Sequence, residues 1–193
     1  MKRERQKKQT RILLQQTALQ LFQTQGYDET TVLQITNEAG VAKGTFFNYF
    51  RTKEEVLQSV FFSHMERVYE KMKKNKRTNW REQIEQLFHE LTTMHEQLGR
   101  KVTKSMLHIY TAKKKQPLEL TPLIDLLVGL FEEGKRCGDI QTRHPSSLLA
   151  LMAVQLYVGA LQLWIFSHIT EPLPTFLHET LHLFLCYIEK EGD

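Results

Sequence analysis

The sequence predicts an all-α protein of about nine helices, on three observations. Apolar residues recur along most of the chain at intervals of three and four, which is the spacing of one face of an α-helix. No segment shows the apolar and polar alternation of a half-buried strand. Glycines and prolines, which end or restart helices, fall between the periodic segments. With 193 residues, the chain is long enough for one or two small domains with a real core.

A first short helix is predicted within residues 30–53, the most informative segment of the chain. Thr31 followed three residues later by Gln34 fits a capping box, in which the hydroxyl accepts from a free amide at the helix start while Gln34 reaches back. Gly40 supplies the permissive backbone that ends the helix. The expected helix therefore runs from about Val32 to Ala39.

A second short helix is predicted after a turn of about three residues. It begins at Lys43, and Phe46 and Phe50 at helical spacing anchor it on the core. The opposite face, which includes Thr45 and Asn48, is left to contact another molecule. Two short helices joined in this way, at about residues 31–50, form the helix-turn-helix arrangement with which many proteins read DNA.

The rest of the chain is predicted to be helical as well. A long helix from Lys53 to about Lys74 would join the two halves of the protein, and its lysine-rich end is interpreted as solvated. A KKKQP segment marks a break later in the chain. Further helices are expected at about Trp80 to Leu98, Val102 to Thr111, Leu123 to Arg136, Ser147 to His168 and Pro174 to Glu189.

Positive charge is concentrated in the part of the chain that contains the two short helices. Residues 1–53 hold nine Lys/Arg and four acidic residues, whereas the remainder holds 17 Lys/Arg and 18 acidic residues. This asymmetry indicates a polyanionic partner for the first part. For the N-terminal segment MKRERQKK by itself, a merely solvated basic tail is the alternative.

In residues 8–68 the chain resembles the TetR family of transcriptional regulators. The resemblance rests on the run from Ala39 to Phe46, which continues with Tyr49, Phe50, Thr52 and Lys53, and the preceding helix agrees. It implies an N-terminal three-helix DNA-binding domain, followed in residues 69–193 by a helical domain for effector binding and dimerisation. Phe47 departs from the family pattern, in which a tyrosine is common, and so lacks a hydroxyl for a phosphate hydrogen bond.

The DNA contacts can be assigned by residue type. We expect Lys43 and Lys53 to bind phosphates. Asn48 is expected to determine specificity, because its amide can pair with adenine, while neighbouring side chains touch other base edges. The complete expected DNA surface is Thr31, Lys43, Gly44, Thr45, Phe47, Asn48, Tyr49 and Lys53.

A homodimer is expected, because a two-fold dimer reads two half-sites about 34 to 36 Å apart and thus a near-palindromic operator in double-stranded DNA. The resemblance places the dimer contact on the last two helices, which are the most apolar. Its expected residues are Leu161, Ile165, Leu177, Leu181, Phe184 and Ile188.

The resemblance also implies a cavity for a small-molecule effector in the C-terminal domain. A largely apolar ligand would suit the residues there, and its binding is expected to tilt the connecting helix and release the DNA. Repression is the commoner habit of the family, and neither a cofactor nor an enzymatic activity is expected. The candidate pocket residues are Phe61, Met65, Phe88, Met106, Tyr110, Phe131, Met152, Gln155 and Trp164.

One motif indicates another class of protein. His178 and His182 belong to an H-E-x-x-H sequence, whose spacing can place two imidazoles on one helix face to hold zinc. A third ligand would have to come from Glu189 or Glu191 on the same helix. The alternative hypothesis is therefore a helical protein with a zinc site, either catalytic or structural. Otherwise both histidines are polar positions on the exposed side of an amphipathic helix.

Residues 148–166 contain 16 apolar residues in 19 and no charged residue, which also fits the length of a membrane span. Gln155 and Gln162 on one face favour instead a helix buried on both sides, by its own domain and by a partner subunit. Only Cys137 and Cys186 occur. Two cysteines are too few for a disulfide framework, which suits the cytoplasm.

Overall fold

A computed structural model of the chain describes residues 2–74, 79–112 and 120–190, and every regular element in these ranges is an α-helix. The all-α fold class is therefore confirmed. The eight helices are α1 (Lys2–Thr24), α2 (Val32–Glu38), α3 (Lys43–Phe47), α4 (Lys53–Lys74), α5 (Trp80–Ala112), α6 (Thr121–Cys137), α7 (Ser146–Phe166) and α8 (Leu173–Lys190).

Helix α5 contains a kink at Gly99. This residue has φ 81° and ψ 159°, a conformation that is essentially restricted to glycine. The sequence predicts two helices here, separated after Leu98. The break is present, but helical structure resumes directly after Gly99, so the two predicted helices form one kinked element. The predicted KKKQP break, at residues 113–117, lies outside the described residues.

The chain divides into two compact units. The first contains Met1–Glu66 and Leu98–Lys115, and the second contains Arg67–Gln97 and Gln116–Asp193. Helices α4 and α5 each contribute residues to both units. The domain boundary expected after residue 68 lies close to the point where α4 changes unit. However, the second half of α5 belongs to the first unit, although it lies far beyond that boundary in the sequence.

The first unit contains the three N-terminal helices, with α1 packed on α2 and α2 packed on α3. Leu14, Ala18 and Phe22 of α1 are fully buried, as are Ile35 of α2 and Phe46 of α3. Leu14, Ala18 and Phe22 recur at four-residue spacing, so one stripe of α1 packs against α2, on which α3 packs in turn.

The second unit has α6 packed on α7 and α7 packed on α8. Trp80, at the start of α5, is also buried in this unit, where its indole Nε1 donates a 2.9 Å hydrogen bond to Asp139 Oδ2. The indole ring lies directly against Gly134 of α6. A Cβ atom at Gly134 would be 2.8 Å from the ring and 2.6 Å from Ile140 Cδ1.

Gly134→Ala is expected to destabilise the protein by about 1 to 3 kcal/mol, because the added methyl group overpacks a core that has no room for it. Urea unfolding followed by circular dichroism measures the effect. The matched control is Gly129→Ala on the same helix, where an added Cβ would have no neighbour within 4 Å. That change should stabilise α6 by roughly 0.5 to 1 kcal/mol through helix propensity. Equal effects at both positions would contradict the proposed packing.

Candidate nucleic-acid interface

The start of α2 has the predicted capping box. Thr31 N donates to Gln34 Oε1 at 2.8 Å, and Gln34 N donates to Thr31 Oγ1 at 3.2 Å. At the other end of the helix, Gly40 has φ 65°, in the left-handed region. Local hydrogen bonds and one glycine therefore fix both ends of this short helix, as the sequence predicts.

Helix α3 is held by its aromatic residues. Phe46 and Phe50 are buried, with ring centroids 5.7 Å apart. The residues that the sequence assigns to DNA contact lie at the surface: Lys43, Gly44, Phe47 and Asn48 are exposed, and Thr45 and Tyr49 are half-buried. Helix α3 ends at Phe47, so Asn48 is its C-cap residue and not part of its body. The exposure is compatible with the expected contacts, which remain predictions.

Phe47 is the most unusual side chain of this surface, because half of a large apolar ring is exposed. It rests edge-on against Phe46, with ring centroids 5.5 Å apart and an interplanar angle of 83°. The buried neighbour restricts the orientation of the exposed ring. A ring held in this way is suited to apolar contact with a thymine methyl group in the major groove.

Lys53, which the sequence assigns to a phosphate, forms hydrogen bonds within the protein. Its Nζ donates to three backbone carbonyls, those of Tyr27 (2.7 Å), Thr30 (3.1 Å) and Asp28 (3.2 Å). The ammonium group also lies 4.3 Å from the centroid of the Tyr27 ring. Three hydrogen bonds match the three donors of an ammonium group. Lys53 therefore ties the start of α4 to the turn before α2, and its phosphate contact remains a prediction.

Burial, and after it the carboxylate of Glu54, raise the pKa of the Tyr27 hydroxyl above its usual range. Tyr27 is therefore neutral throughout the physiological pH range. A neutral aromatic ring keeps the electron-rich face on which the Lys53 ammonium lies.

Lys53→Met is expected to lower the free energy of unfolding by roughly 1.5 to 3 kcal/mol, because the charged hydrogen bonds to three carbonyls are lost. Loss of the expected phosphate contact should also flatten the salt dependence of DNA binding. Lys43→Ala should flatten the salt dependence without destabilising the fold. An unchanged salt dependence in Lys53→Met would show that Lys53 does not bind phosphate.

A second surface of interest lies on α7 and α8, and it corrects the expected dimer residues. Leu161, Leu177, Leu181 and Ile188 are only 1 to 2% exposed, so they pack inside their own subunit. Of the six expected residues, only Ile165 and Phe184 are partly exposed. The reason is that α8 directs its most regular apolar stripe into its own domain, leaving a different stripe at the surface.

The apolar surface of α7 and α8 is formed by residues that the sequence reading missed. Leu163, Phe166, Leu183 and Tyr187 are between 52 and 70% exposed. Between the helices lies an open groove of about 360 Å³. We call this surface the α7–α8 face. The groove is lined by Met152, Gln155, Leu156, Gly159, Ala160, Leu163, Phe176, Thr180 and Phe184.

The structure also provides evidence on whether residues 148–166 form a membrane span. Helix α7 is the one described helix that is long and apolar enough to cross a membrane, and 44% of its most apolar window is buried. The buried residues include Leu149, Ala153 and Tyr157, which pack inside the second unit. Of the exposed residues of α7, in contrast, Met152, Gln155 and Leu163 line the groove that it forms with α8.

The nine candidate effector residues are divided between the two units. Phe61, Met65, Met106 and Tyr110 belong to the first unit and the other five to the second. Phe61, Phe88, Met106, Phe131 and Trp164 are core residues, at most 5% exposed. Met152 and Gln155 line the open groove instead of an enclosed cavity. The side chain of Tyr110 lies outside the described residues.

A buried polar pair in the second unit was also missed by the sequence reading. His95 Nε2 lies 2.7 Å from the Tyr157 hydroxyl, and both residues are at most 3% exposed. The Phe88 ring lies 5.7 Å from the ring of Tyr157. The only sequence signal is that His95 falls on the apolar stripe of α5, next to Leu91 and Met94. A hydrogen-bonded pair in an apolar core is a candidate polar contact for a ligand.

The histidines of the H-E-x-x-H motif are exposed on α8, with ring centroids 6.0 Å apart. His182 Nδ1 lies 3.1 Å from Arg81 Nη2, and Arg81 is paired with Glu189, one of the two residues expected as third ligand. Among the described residues, no group of three His, Cys, Asp or Glu is placed to hold a metal ion. A guanidinium beside the imidazole also disfavours a cation there, so this geometry does not support the zinc hypothesis.

Comparison with known proteins agrees with the geometry of α1 to α3. Residues 14–60 match the family described as bacterial regulatory proteins, tetR family. The uncharacterized HTH-type transcriptional regulator YuxN of Bacillus subtilis is 28% identical over 136 residues, which are 64% of this chain and 46% of YuxN. The fatty acid metabolism regulator protein of Bacillus subtilis is 32% identical over 71 residues, which are 37% of each chain.

A solved structure extends the likeness to nearly the whole chain. It is the transcriptional regulator FadR from Bacillus subtilis in complex with stearoyl-CoA, with a TM-score of 0.69 and 21% identity. The likeness covers 90% of this chain and 97% of that one. It establishes a shared fold. In the two curated relatives, the region matched by this chain is less than half of the protein.

Proposed function

We propose, from the match of residues 14–60 to the tetR family of bacterial regulatory proteins, that the chain is a homodimeric transcriptional repressor in the cytoplasm. The observation that carries the proposal is the surface of α3. Exposed Lys43, Phe47 and Asn48 stand on a helix that is anchored by buried aromatic rings. A charge for phosphate, a ring for a methyl group and an amide for a base edge are the elements of sequence-specific reading.

Dimerisation is proposed to use the α7–α8 face. This face presents four exposed large apolar side chains, of which Leu163 also lines the open groove, and exposed apolar patches on soluble proteins mark interaction sites. A two-fold axis would pair the face with the same face of a second subunit. We call the helix-turn-helix unit of each subunit, residues 31–50, its reading head. Two reading heads held in this way require a near-palindromic operator, with half-site centres about 34 to 36 Å apart or a multiple of a turn.

The effector is proposed to be a small molecule whose buried part is largely apolar, and the first class to test is long-chain acyl-CoA, through its acyl chain. The support is the aromatic core of the second unit and the likeness to FadR, which was solved with stearoyl-CoA. We place the ligand's polar contact at His95 and Tyr157, the hydrogen-bonded pair inside that core. A ligand that accepts a hydrogen bond from one of these two side chains would replace the hydrogen bond between His95 and Tyr157 that it breaks.

Release from DNA is proposed to pass through α4, because this helix contributes residues to both units. To shift a dimer from a 1:99 to a 99:1 balance of states, a ligand must prefer one state by about 10⁴-fold, roughly 5.5 kcal/mol. Burial of about 200 Å² of apolar ligand surface in one state would supply that difference.

The proposal is tested by incubating the protein with a pool of random duplexes and sequencing what stays bound at two salt concentrations. Enrichment of a near-palindrome is expected at both, with weaker overall binding at the higher salt. A pool that shows no preferred sequence at either salt would contradict the proposed function. The selected duplex then serves in a titration with stearoyl-CoA, where binding of the ligand without loss of DNA affinity would contradict the coupling.

A further inference from the structure

Helix α1 extends well beyond the core that it helps to build. Its first fully buried residue is Leu14, whereas the helix begins at Lys2. Residues 3–9, with the sequence RERQKKQ, are all exposed, and this segment is basic and contains no apolar residue. Two turns of helix therefore stand beyond the packed part of the first unit.

The basic residues of this extension lie on a particular side of α1. Arg3, Lys7 and Arg11 follow one another at intervals of four residues. At 3.6 residues per turn, these three fall within a sector of about 80° that also contains the buried Leu14 and Ala18. The side of α1 that packs on the reading head therefore continues, beyond the core, as a stripe of positive charge.

Arg11 shows where this stripe meets the reading head. Its guanidinium carbon lies 4.9 Å from the centroid of the Phe50 ring. Phe50 directly follows Tyr49, and the exposed Asn48 that ends α3 is two residues away. At 1.5 Å per residue, Lys7 lies about 6 Å and Arg3 about 12 Å beyond Arg11 along the helix. The stripe thus begins at the border of the proposed DNA surface.

We propose that Arg3 and Lys7 form a second DNA site, which binds the phosphate backbone flanking the half-site read by α3. The inference rests on the proposed function and extends it to a part of the chain outside the helix-turn-helix. Duplex DNA is the partner because the stripe begins at the border of the proposed DNA surface. An anionic membrane is disfavoured, since residues 3–9 offer no apolar face to insert beside the charges.

The test compares two double variants that remove the same charge. Arg3→Gln with Lys7→Gln removes the stripe. Arg5→Gln with Arg136→Gln is the control, because Arg5 lies on the opposite side of α1 and Arg136 is exposed in the last turn of α6. The measurement is the slope of log K against log salt for the duplex selected by the wild-type protein, with thermal unfolding of each variant as a check of folding.

The stripe variant is expected to flatten the slope by about 3 to 4, since each dimer loses four phosphate contacts at about 0.9 each. Its preferred sequence should not change, because backbone contacts carry no base information. The control should change the slope by less than about 1. An unchanged slope in the stripe variant, or an equal change in both, would overturn the inference while sequence-specific binding by the wild type keeps the proposed function intact. Failure of the wild type to select any sequence would overturn both.

Discussion

Leu183→Glu is expected to convert the protein to a monomer and to weaken operator binding by roughly 100-fold or more, because a monomer loses the gain from two linked reading heads. Leu183 is 70% exposed on the α7–α8 face, so the substitution leaves the core of the subunit intact. In a two-fold interface the change occurs twice. Two carboxylates would then lose water in an apolar contact without a partner, at a cost of several kcal/mol.

Sedimentation velocity of the free protein measures the first effect, and titration of the selected duplex measures the second. The control is His178→Glu, which puts the same carboxylate on an exposed residue of α8. At 3.6 residues per turn, His178 lies about 140° around the helix from Leu183, whereas Phe176 and Thr180 of the groove lie within about 60° of Leu183. This variant should remain dimeric and bind as the wild type does. A Leu183→Glu protein that stays dimeric would place the interface elsewhere.

Asn48→Ala is expected to cost roughly 2 to 6 kcal/mol on the operator, since a bidentate base contact gives about 1 to 3 kcal/mol and each dimer makes it twice. The loss should be confined to duplexes that carry the contacted base pair. Asn48 is exposed at the C-cap of α3, so its removal should leave the stability of the fold unchanged.

Lys43→Ala is the contrasting change on the same helix. It should weaken binding to all duplexes alike and flatten the salt slope by about 2, because two phosphate contacts are lost per dimer. Titrations of both variants against the operator and against single-base operator variants distinguish the two roles. If both substitutions reduced binding equally on every duplex, the assignment of Asn48 to bases and Lys43 to phosphates would be wrong.

The short helices could be predicted from the sequence because their signals are local. Thr31 and Gln34 form the capping box, and Gly40 ends α2, within a window of ten residues. Such hydrogen bonds and backbone preferences depend little on the rest of the chain. The burial of Phe46 and Phe50 could likewise be predicted from their helical spacing alone.

The dimer surface could not be predicted in this way. Helix α7 is apolar all round, so periodicity does not show which of its sides packs inside the subunit. On α8 the most regular stripe, which includes Leu177 and Leu181, is the core stripe. The exposed Leu183 and Tyr187 lie off that stripe. Only the packing of α6, α7 and α8 distinguishes core from surface.

Two other features of the structure have a similar cause. The type and position of Lys53 suit a phosphate ligand, but only the fold shows that it also binds the carbonyls of the turn at Tyr27. Large apolar residues such as Phe88 and Phe131 occur both in pockets and in cores, and only the structure shows how deeply they are buried. Contacts between residues distant in sequence decide these cases.

The most direct test of the central claim, that two reading heads bind one operator, compares the selected duplex with the same duplex lengthened by five base pairs between its half-sites. Half a helical turn moves the second half-site to the opposite face of the DNA. The proposed dimer should then bind roughly 100-fold more weakly or worse, because only one head can engage. Equal affinity for the two duplexes would contradict a two-headed reader.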